Sequence, residues 1–122
     1  MRDFKRLEIW QRAHALAIAL YKATPKYGRL GYGRLRSQLV QAADSIGTNI
    51  AEGCGAESNR EFARFLDMSI KSANETEHHM LTVRDLRLMP EQECVRYSGE
   101  TVEIRRMIFS YRGRVLEDDE QS

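Results

Sequence analysis

The chain has 122 residues, 42% of them hydrophobic, with 19 Lys and Arg against 18 Asp and Glu, and only two Pro and two Cys. A chain of this length buries roughly two thirds of the surface its unfolded form exposes, so a single domain over 1–122 needs neither disulfides nor metal to fold. No apolar run approaches the roughly 18 residues that a bilayer span requires, which excludes an integral membrane protein. Glu8, Gln11, Arg12 and His14 break the stretch after the first basic residues, so no signal peptide is predicted. Cys54 and Cys94 have no CxxC spacing and read as reduced thiols in a cytoplasmic protein. The net charge of +1 is unevenly spread: residues 1–36 hold nine Lys or Arg and two acids, and the rest of the chain is acidic. Such polarity marks a nucleic-acid-facing end, or cancels where segments lie side by side.

In chain order, the hydrophobic pattern fits 3.6 residues per turn in four stretches and shows no sustained alternation, which predicts an all-α fold. The first helix, about 4–23, carries Leu7, Trp10, Ala13, Ala17 and Leu20 at steps of three and four, with Ile9, Leu16, Ile18 and Tyr21 beside them. A helix apolar nearly all round is covered on more than one side. It is therefore either central or an oligomer interface, with Trp10, Leu16, Ile18 and Tyr21 as the interface candidates. Pro25 ends this helix, and the loop after it repeats Tyr-Gly-Arg-Leu at 27–30 and 32–35. Alternating basic and aromatic side chains there suit either single-stranded nucleic acid or local packing.

The second helix, about 35–52, places Leu35, Leu39, Ala42, Ala43, Ile46 and Ile50 on one face. Gly47 in its interior predicts a neighbouring backbone too close for a Cβ, and Gly53 or Gly55 suits a left-handed stop. Ser58-Asn59-Arg60-Glu61 has the spacing of a capping box and opens a third helix that runs to about 88. Met89-Pro90 breaks the pattern, and Pro90 suits the first turn of a fourth helix, about 90–116. There Cys94, Tyr97, Thr101, Ile104, Ile108, Tyr111 and Val115 alternate steps of three and four, flanked by Val95, Val102, Phe109 and Leu116 at sevens, which predicts bundle packing with a coiled-coil seam. The acidic residues 117–122 are expected to fray.

Catalytic patterns are sparse. There is no Gly-x-Ser-x-Gly elbow, no phosphate loop and no dinucleotide fingerprint, so no cofactor is implied and no catalytic residue stands out. Glu75-Thr76-Glu77-His78 matches the Glu-x-x-His element of carboxylate di-metal bundles, but it occurs once. Glu75 and His79, one turn apart, equally suit a simple surface pair. No metal site is assigned.

At Asn49-Ile50-Ala51-Glu52-Gly53 the pattern becomes specific. With Phe4, Leu7 and Trp10-Gln11, Ser37-Gln38, Ala42-Ala43, Ser45-Ile46, Ser58 with Glu61-Phe62, Arg64-Phe65-Leu66, and Ser72 followed by Glu75 and Glu77, it resembles the intervening-sequence-encoded, so-called ribosomal protein family of four-helix bundles. That family was first noticed as reading frames inside bacterial large-subunit ribosomal RNA genes, and it is similar to the accessory bundles of retroelement reverse transcriptases. The resemblance implies an up-down-up-down bundle of long antiparallel helices, a homopentamer, and a non-enzymatic protein without a settled role. Gly31-Tyr32-Gly33, Gln41 and Lys71 depart from the family pattern.

The motif residues admit two physical accounts. Asn49 and Glu52, with Ser45, Ser69 and Ser72, form a buried polar layer facing the third helix, or Asn49 and Glu52 cap the helix end; Glu75 lies on the same motif stretch. Three functions are weighed: a homo-oligomeric scaffold for a protein or RNA partner; an RNA-binding accessory factor whose contacts come from Lys26, Arg29, Arg34 and Arg36; and, remotely, a metal-dependent enzyme built on Glu75 and His78.

Overall fold

The computed structural model describes residues 2–121. It contains a short 3₁₀ turn, Phe4–Arg6, and four helices: α1 Glu8–Ala23, α2 Gly33–Cys54, α3 Asn59–Asp85 and α4 Glu91–Gln121. Among the described residues there is no strand. At 1.5 Å per residue, the 31 residues of α4 span about 46 Å. No described helix is long and apolar enough to cross a membrane. α2 packs on α3, α3 on α4 and α1 on α2, with a lighter α1–α4 contact closing the circuit.

The helix starts differ from the periodic pattern where side chains intervene. Asp3 accepts the Lys5 N–H, Leu7 adopts extended backbone, and only then does α1 begin, so the continuous helix expected from residue 4 is split. Thr24, fully buried, donates from Oγ1 to the Leu20 carbonyl at 2.8 Å just ahead of Pro25, which ends α1. At α3 the Ser58 hydroxyl accepts the Glu61 N–H at 3.1 Å, as the capping box predicts. The returning bond lands one residue early: Glu61 accepts the Glu57 N–H at 3.3 Å.

The helix ends correct two expectations. α2 does not stop on a left-handed glycine, because Gly55 has φ −87° and its N–H closes back onto the carbonyls of Glu52 and Gly53. Instead α3 uses the left-handed stop, three residues earlier than expected, and with Arg87 (φ 56°) in the position usually held by glycine. The Leu88 N–H reaches the Val83 carbonyl at 3.1 Å and the Arg87 N–H reaches that of Arg84 at 3.0 Å, the paired bonds of a Schellman cap. The acidic C-terminal residues, expected to fray, continue α4 to Gln121, since neither Gly nor Pro interrupts the run after Gly113; Ser122 lies outside the described residues.

Close approach is found at Gly53, not at Gly47. A Cβ on Gly53 would lie 2.7 Å from Phe62 Cδ1 and 2.8 Å from Phe65 Cβ, so the end of α2 sits directly on the start of α3. Gly47 meets the Trp10 indole, 3.5 Å from such a Cβ, and Ala13 Cβ at 3.8 Å, which is ordinary contact. The core is continuous from Ile9, Ala13 and Leu20 through Ile46, Ile50, Phe62 and Leu66 to Met80, Ile104 and Ile108. Three arginines tie α4 into place: Arg12 of α1 to Glu100 at 2.6 Å, and from α4 Arg105 to Glu77 at 2.7 Å and Arg112 to Asp67 at 2.6 Å. The Arg112 Nε is buried without hydrogen-bond alignment, so that contact is an ion pair, with Nη2 donating to Asp67 Oδ2 at 3.4 Å. These partly solvated pairs each contribute about 0–1 kcal/mol and act more on register than on stability.

Candidate functional site

α1 presents two faces. Leu16 is buried in the chain's own core, so of the four interface candidates it does not belong to the outer surface. Trp10 is half-buried, and Ile18 and Tyr21 are each 40% exposed. Trp10, His14, Ile18 and Tyr21 follow one another at steps of four, four and three, which puts them on one outward stripe. The helix is therefore not central: Trp10 of this stripe packs against the core, while Ile18 and Tyr21 stay partly open to solvent.

Trp10 is held by its neighbours. The Phe4 ring meets it edge-on at 5.0 Å and the His14 ring stacks on it at 4.8 Å, nearly parallel. With Asp44, Gly47, Thr48 and Glu52 of α2, Trp10 and His14 line a shallow cleft of about 260 Å³. An indole, an imidazole and two carboxylates make that cleft suitable for a cation or an amphipathic side chain. A second cleft, of about 400 Å³, opens between α1 and α4, lined by Leu7, Ile9, Met107, Tyr111 and Arg114.

The motif residues do not form the polar layer considered from sequence. Ser45 donates from Oγ to the Gln41 carbonyl at 2.9 Å and Asn49 from Nδ2 to the Ser45 carbonyl at 2.9 Å, both within α2. Glu52 is exposed, and neither it nor Asn49 caps the helix end with its side chain. Short polar side chains that bond back along their own helix do not reach across to a neighbour. The polar contact between α2 and α3 is made by Ser69 alone of that set: fully buried, it donates to the Ile46 carbonyl at 2.8 Å. Ser72 is half-buried, its carbonyl accepting the Thr76 hydroxyl at 2.8 Å.

The basic loop also divides. Lys26, Arg29 and Arg34 are exposed, whereas Arg36 folds back onto Thr24 Oγ1 at 3.1 Å and the Tyr21 carbonyl at 3.3 Å. Tyr27 is only 3% exposed, and burial pushes its phenol up to about 12. Its hydroxyl points at the Leu88 carbonyl, 3.5 Å away, and the half-buried Tyr32 packs on the core. Neither ring is free to stack on a base, so the alternating basic and aromatic pattern resolves into inward anchors and outward cations.

On α3, Glu75 lies 3.4 Å from His79, the surface pair allowed for by their spacing, while Glu77 is taken by Arg105. Among the described residues no three His, Cys, Asp or Glu side chains come together as a metal site would require. Cys54, at the end of α2, and Cys94, in the first turn of α4, are buried thiols, each held above the usual thiol range chiefly by burial.

Sequence reading misplaced one surface. The residues at sevens on α4, expected to flank the packing seam, do not enter the core: Val95 and Phe109 are each 66% exposed, and Val102 and Leu116 are half-buried. Period alone identifies an apolar stripe but not what covers it.

No curated protein matches the chain. Its fold resembles a crystal structure of a protein of unknown function from the S23 ribosomal protein family of Bacteroides thetaiotaomicron, with TM-score 0.80 and 20% identity, covering 85% of this chain and 97% of that one. At that identity the likeness concerns the fold. The sequence itself matches the family described as 23S rRNA-intervening sequence protein over residues 5–110, which takes in the outward stripe of α1, the basic loop and the Asn49–Gly53 motif; the chain belongs to that family.

Proposed function

We propose that this chain is a non-enzymatic scaffold: an up-down-up-down four-helix bundle that assembles with copies of itself in the cytoplasm, as a pentamer on the family resemblance, and offers its remaining surface to a protein or RNA partner. The observation that carries this reading is the outward stripe of α1, where Ile18 and Tyr21 are each 40% exposed beside the Trp10–His14 stack. Facing it across the cleft, α2 offers the small side chains Thr48 and Ala51, which permit close approach of another helix. Apolar side chains exposed in this arrangement gain about 25 cal/mol per Å² when a neighbouring subunit covers them. Native mass measurement tests the assembly: the expected species is about five times the 14.1 kDa chain, reduced by Ile18→Lys. A wild-type chain that remains a single copy at high concentration overturns the reading.

A second reading, RNA binding by charge, is favoured by Lys26, Arg29 and Arg34, exposed and absent from the ion pairs among the described residues. Three phosphate contacts on a single strand give a slope of about −2 in log affinity against log salt. Binding of a single-stranded RNA that follows this slope and is lost on replacing the three by alanine supports it. Binding indifferent to salt, or none, removes it. Arg36 is not part of this test, because it holds the start of α2 to the end of α1.

A further inference from the structure

The cleft of about 400 Å³ between α1 and α4 gathers cations that the fold does not pair. Its floor is apolar: Leu7 and Ile9 come from the start of α1, Met107 and Tyr111 from α4. Around this floor stand three guanidinium groups, Arg6 from the 3₁₀ turn and Arg106 and Arg114 from α4, against a single carboxylate, Glu8. The Ser110 hydroxyl completes the polar side. One turn further along α1, Arg12 crosses to Glu100 at 2.6 Å and reaches Met107 Sδ at 3.0 Å, which sets this cleft apart from a smaller one beyond it, lined by Ala15, Leu16 and Tyr97.

These three arginines differ from the others that α1 and α4 place between helices. Arg12, Arg105 and Arg112 each reach a carboxylate of a neighbouring helix within 2.7 Å. Arg6 and Arg114 make no ion pair among the described residues, and Arg106 lies 3.7 Å from Glu103, too far for a hydrogen bond. Arg114 is the most telling, because Glu117 and Asp118 stand three and four residues on, the spacing at which helical ion pairs form. It lies instead over the Tyr111 ring at 5.6 Å, on the wall of the cleft. A guanidinium resting on an aromatic face keeps the N–H groups at its edge open to an oxyanion.

We propose that this cleft binds a small amphipathic anion: an oxyanion head, carboxylate or phosphate monoester, held by Arg6, Arg106 and Arg114, and an apolar body seated on the floor. The planar fork of a guanidinium matches either head with two parallel bonds. The volume is at the small end of the range that holds small molecules. Each methylene buried on the floor adds roughly fourfold in affinity, so head and body are both required. The bound anion ties the N-terminal turn to the last helix. The cleft lies on the α4 side of α1 and the outward stripe on its α2 side, so the site does not depend on self-assembly.

Isothermal titration of the full chain with octanoate and with octyl phosphate tests the site. One equivalent per chain is expected for at least one of them, and the tighter of the two identifies the head. Octanol, which has the body alone, and acetate, which has the head alone, should bind at least tenfold more weakly than octanoate. Arg6→Gln and Arg114→Gln, both at exposed positions, should each weaken binding about tenfold, with helical content unchanged by circular dichroism. Arg64→Gln on α3, equally exposed and outside the cleft, removes the same charge and should leave binding as in the wild type. Failure of both anions to bind at millimolar concentration overturns the site, and so does binding unmoved by Arg6→Gln and Arg114→Gln. An equal loss in Arg64→Gln reduces the effect to attraction by overall charge, and octanol binding as tightly as octanoate reduces the cleft to an apolar patch; either result also overturns it.

Discussion

Two glycines of α2 should respond to the same change with opposite signs. In Gly53→Ala the new methyl carbon starts 2.7 Å from Phe62 Cδ1 and 2.8 Å from Phe65 Cβ. The Phe62 ring can tilt, but a Cβ is fixed to its backbone, so α3 itself has to move away from α2. Overpacking of this kind costs about 1–3 kcal/mol, against a gain of at most about 1 kcal/mol from replacing a helical glycine, and less near the helix end. The net loss is about 1–2 kcal/mol. In Gly47→Ala the methyl meets Trp10 Nε1 at 3.5 Å and Ala13 Cβ at 3.8 Å, which is contact without clash, so the propensity gain of about 0.5–1 kcal/mol survives. For 122 residues the unfolding entropy is about 0.26 kcal/mol/K, so 1 kcal/mol moves Tm by about 4 °C. Thermal unfolding followed by circular dichroism should therefore place Gly53→Ala about 4–8 °C below the wild type and Gly47→Ala about 2–4 °C above it. A Gly53→Ala variant as stable as the wild type would show that the α2–α3 junction yields to the added methyl and refute the close contact.

Tyr27 stays protonated in the folded chain up to about pH 12, whereas its unfolded counterpart ionises near 10, so its contribution is intact below pH 10 and is lost as pH rises from 10 towards 12. A two-unit shift corresponds to on the order of 2–3 kcal/mol, and the difference in alkaline unfolding between wild type and Tyr27→Phe should show it; parallel curves refute it. Ser69→Ala removes the buried hydroxyl bond to the Ile46 carbonyl and should cost about 1 kcal/mol in urea unfolding, whereas Ser45→Ala, whose bond stays within α2, should change stability by less. Arg87→Gly relieves a left-handed residue at the α3 stop and should raise stability by about 0.5–1 kcal/mol; a loss would mean that the Arg87 side chain stabilises the turn.

Helical period exposed most of the architecture because burial and sequence share one periodicity when a helix has a single covered side. Leu39, Ile46 and Ile50, and likewise Ile104 and Ile108, fall where the pattern puts them, fully buried. It failed where one stripe did not mean one partner. On α4 two stripes carry apolar side chains at helical spacing, and the one through Ile104 and Ile108 is the one buried in the core. It failed again where conformation is set by geometry rather than by residue type: Arg87 adopts φ 56°, although nothing about arginine announces it, and Gly55, which could have, stays right-handed. Polar residues were the least legible, since a serine or asparagine on an inward face bonds its own helix as readily as the next one. Ser45, Asn49 and Ser69 divide between those two outcomes.

The Asn49–Gly53 motif, read this way, is chiefly a corner. Ile50 is fully buried, Gly53 lets Phe62 and Phe65 close on α2, and the Cys54 carbonyl just beyond accepts the Arg2 N–H at 3.1 Å. Arg2 in turn lies over the Phe62 ring at 4.6 Å and donates to Asn59 Oδ1 at 3.1 Å, so the N-terminal segment, the end of α2 and the start of α3 are locked by one arginine and one glycine. These contacts account for the hydrophobic and small members of the motif without any ligand. They do not account for Glu52, which is exposed and lines the Trp10–His14 cleft with Asp44. The fold therefore explains why a glycine must follow that glutamate, and it turns the glutamate's charge outward, into the cleft between α1 and α2.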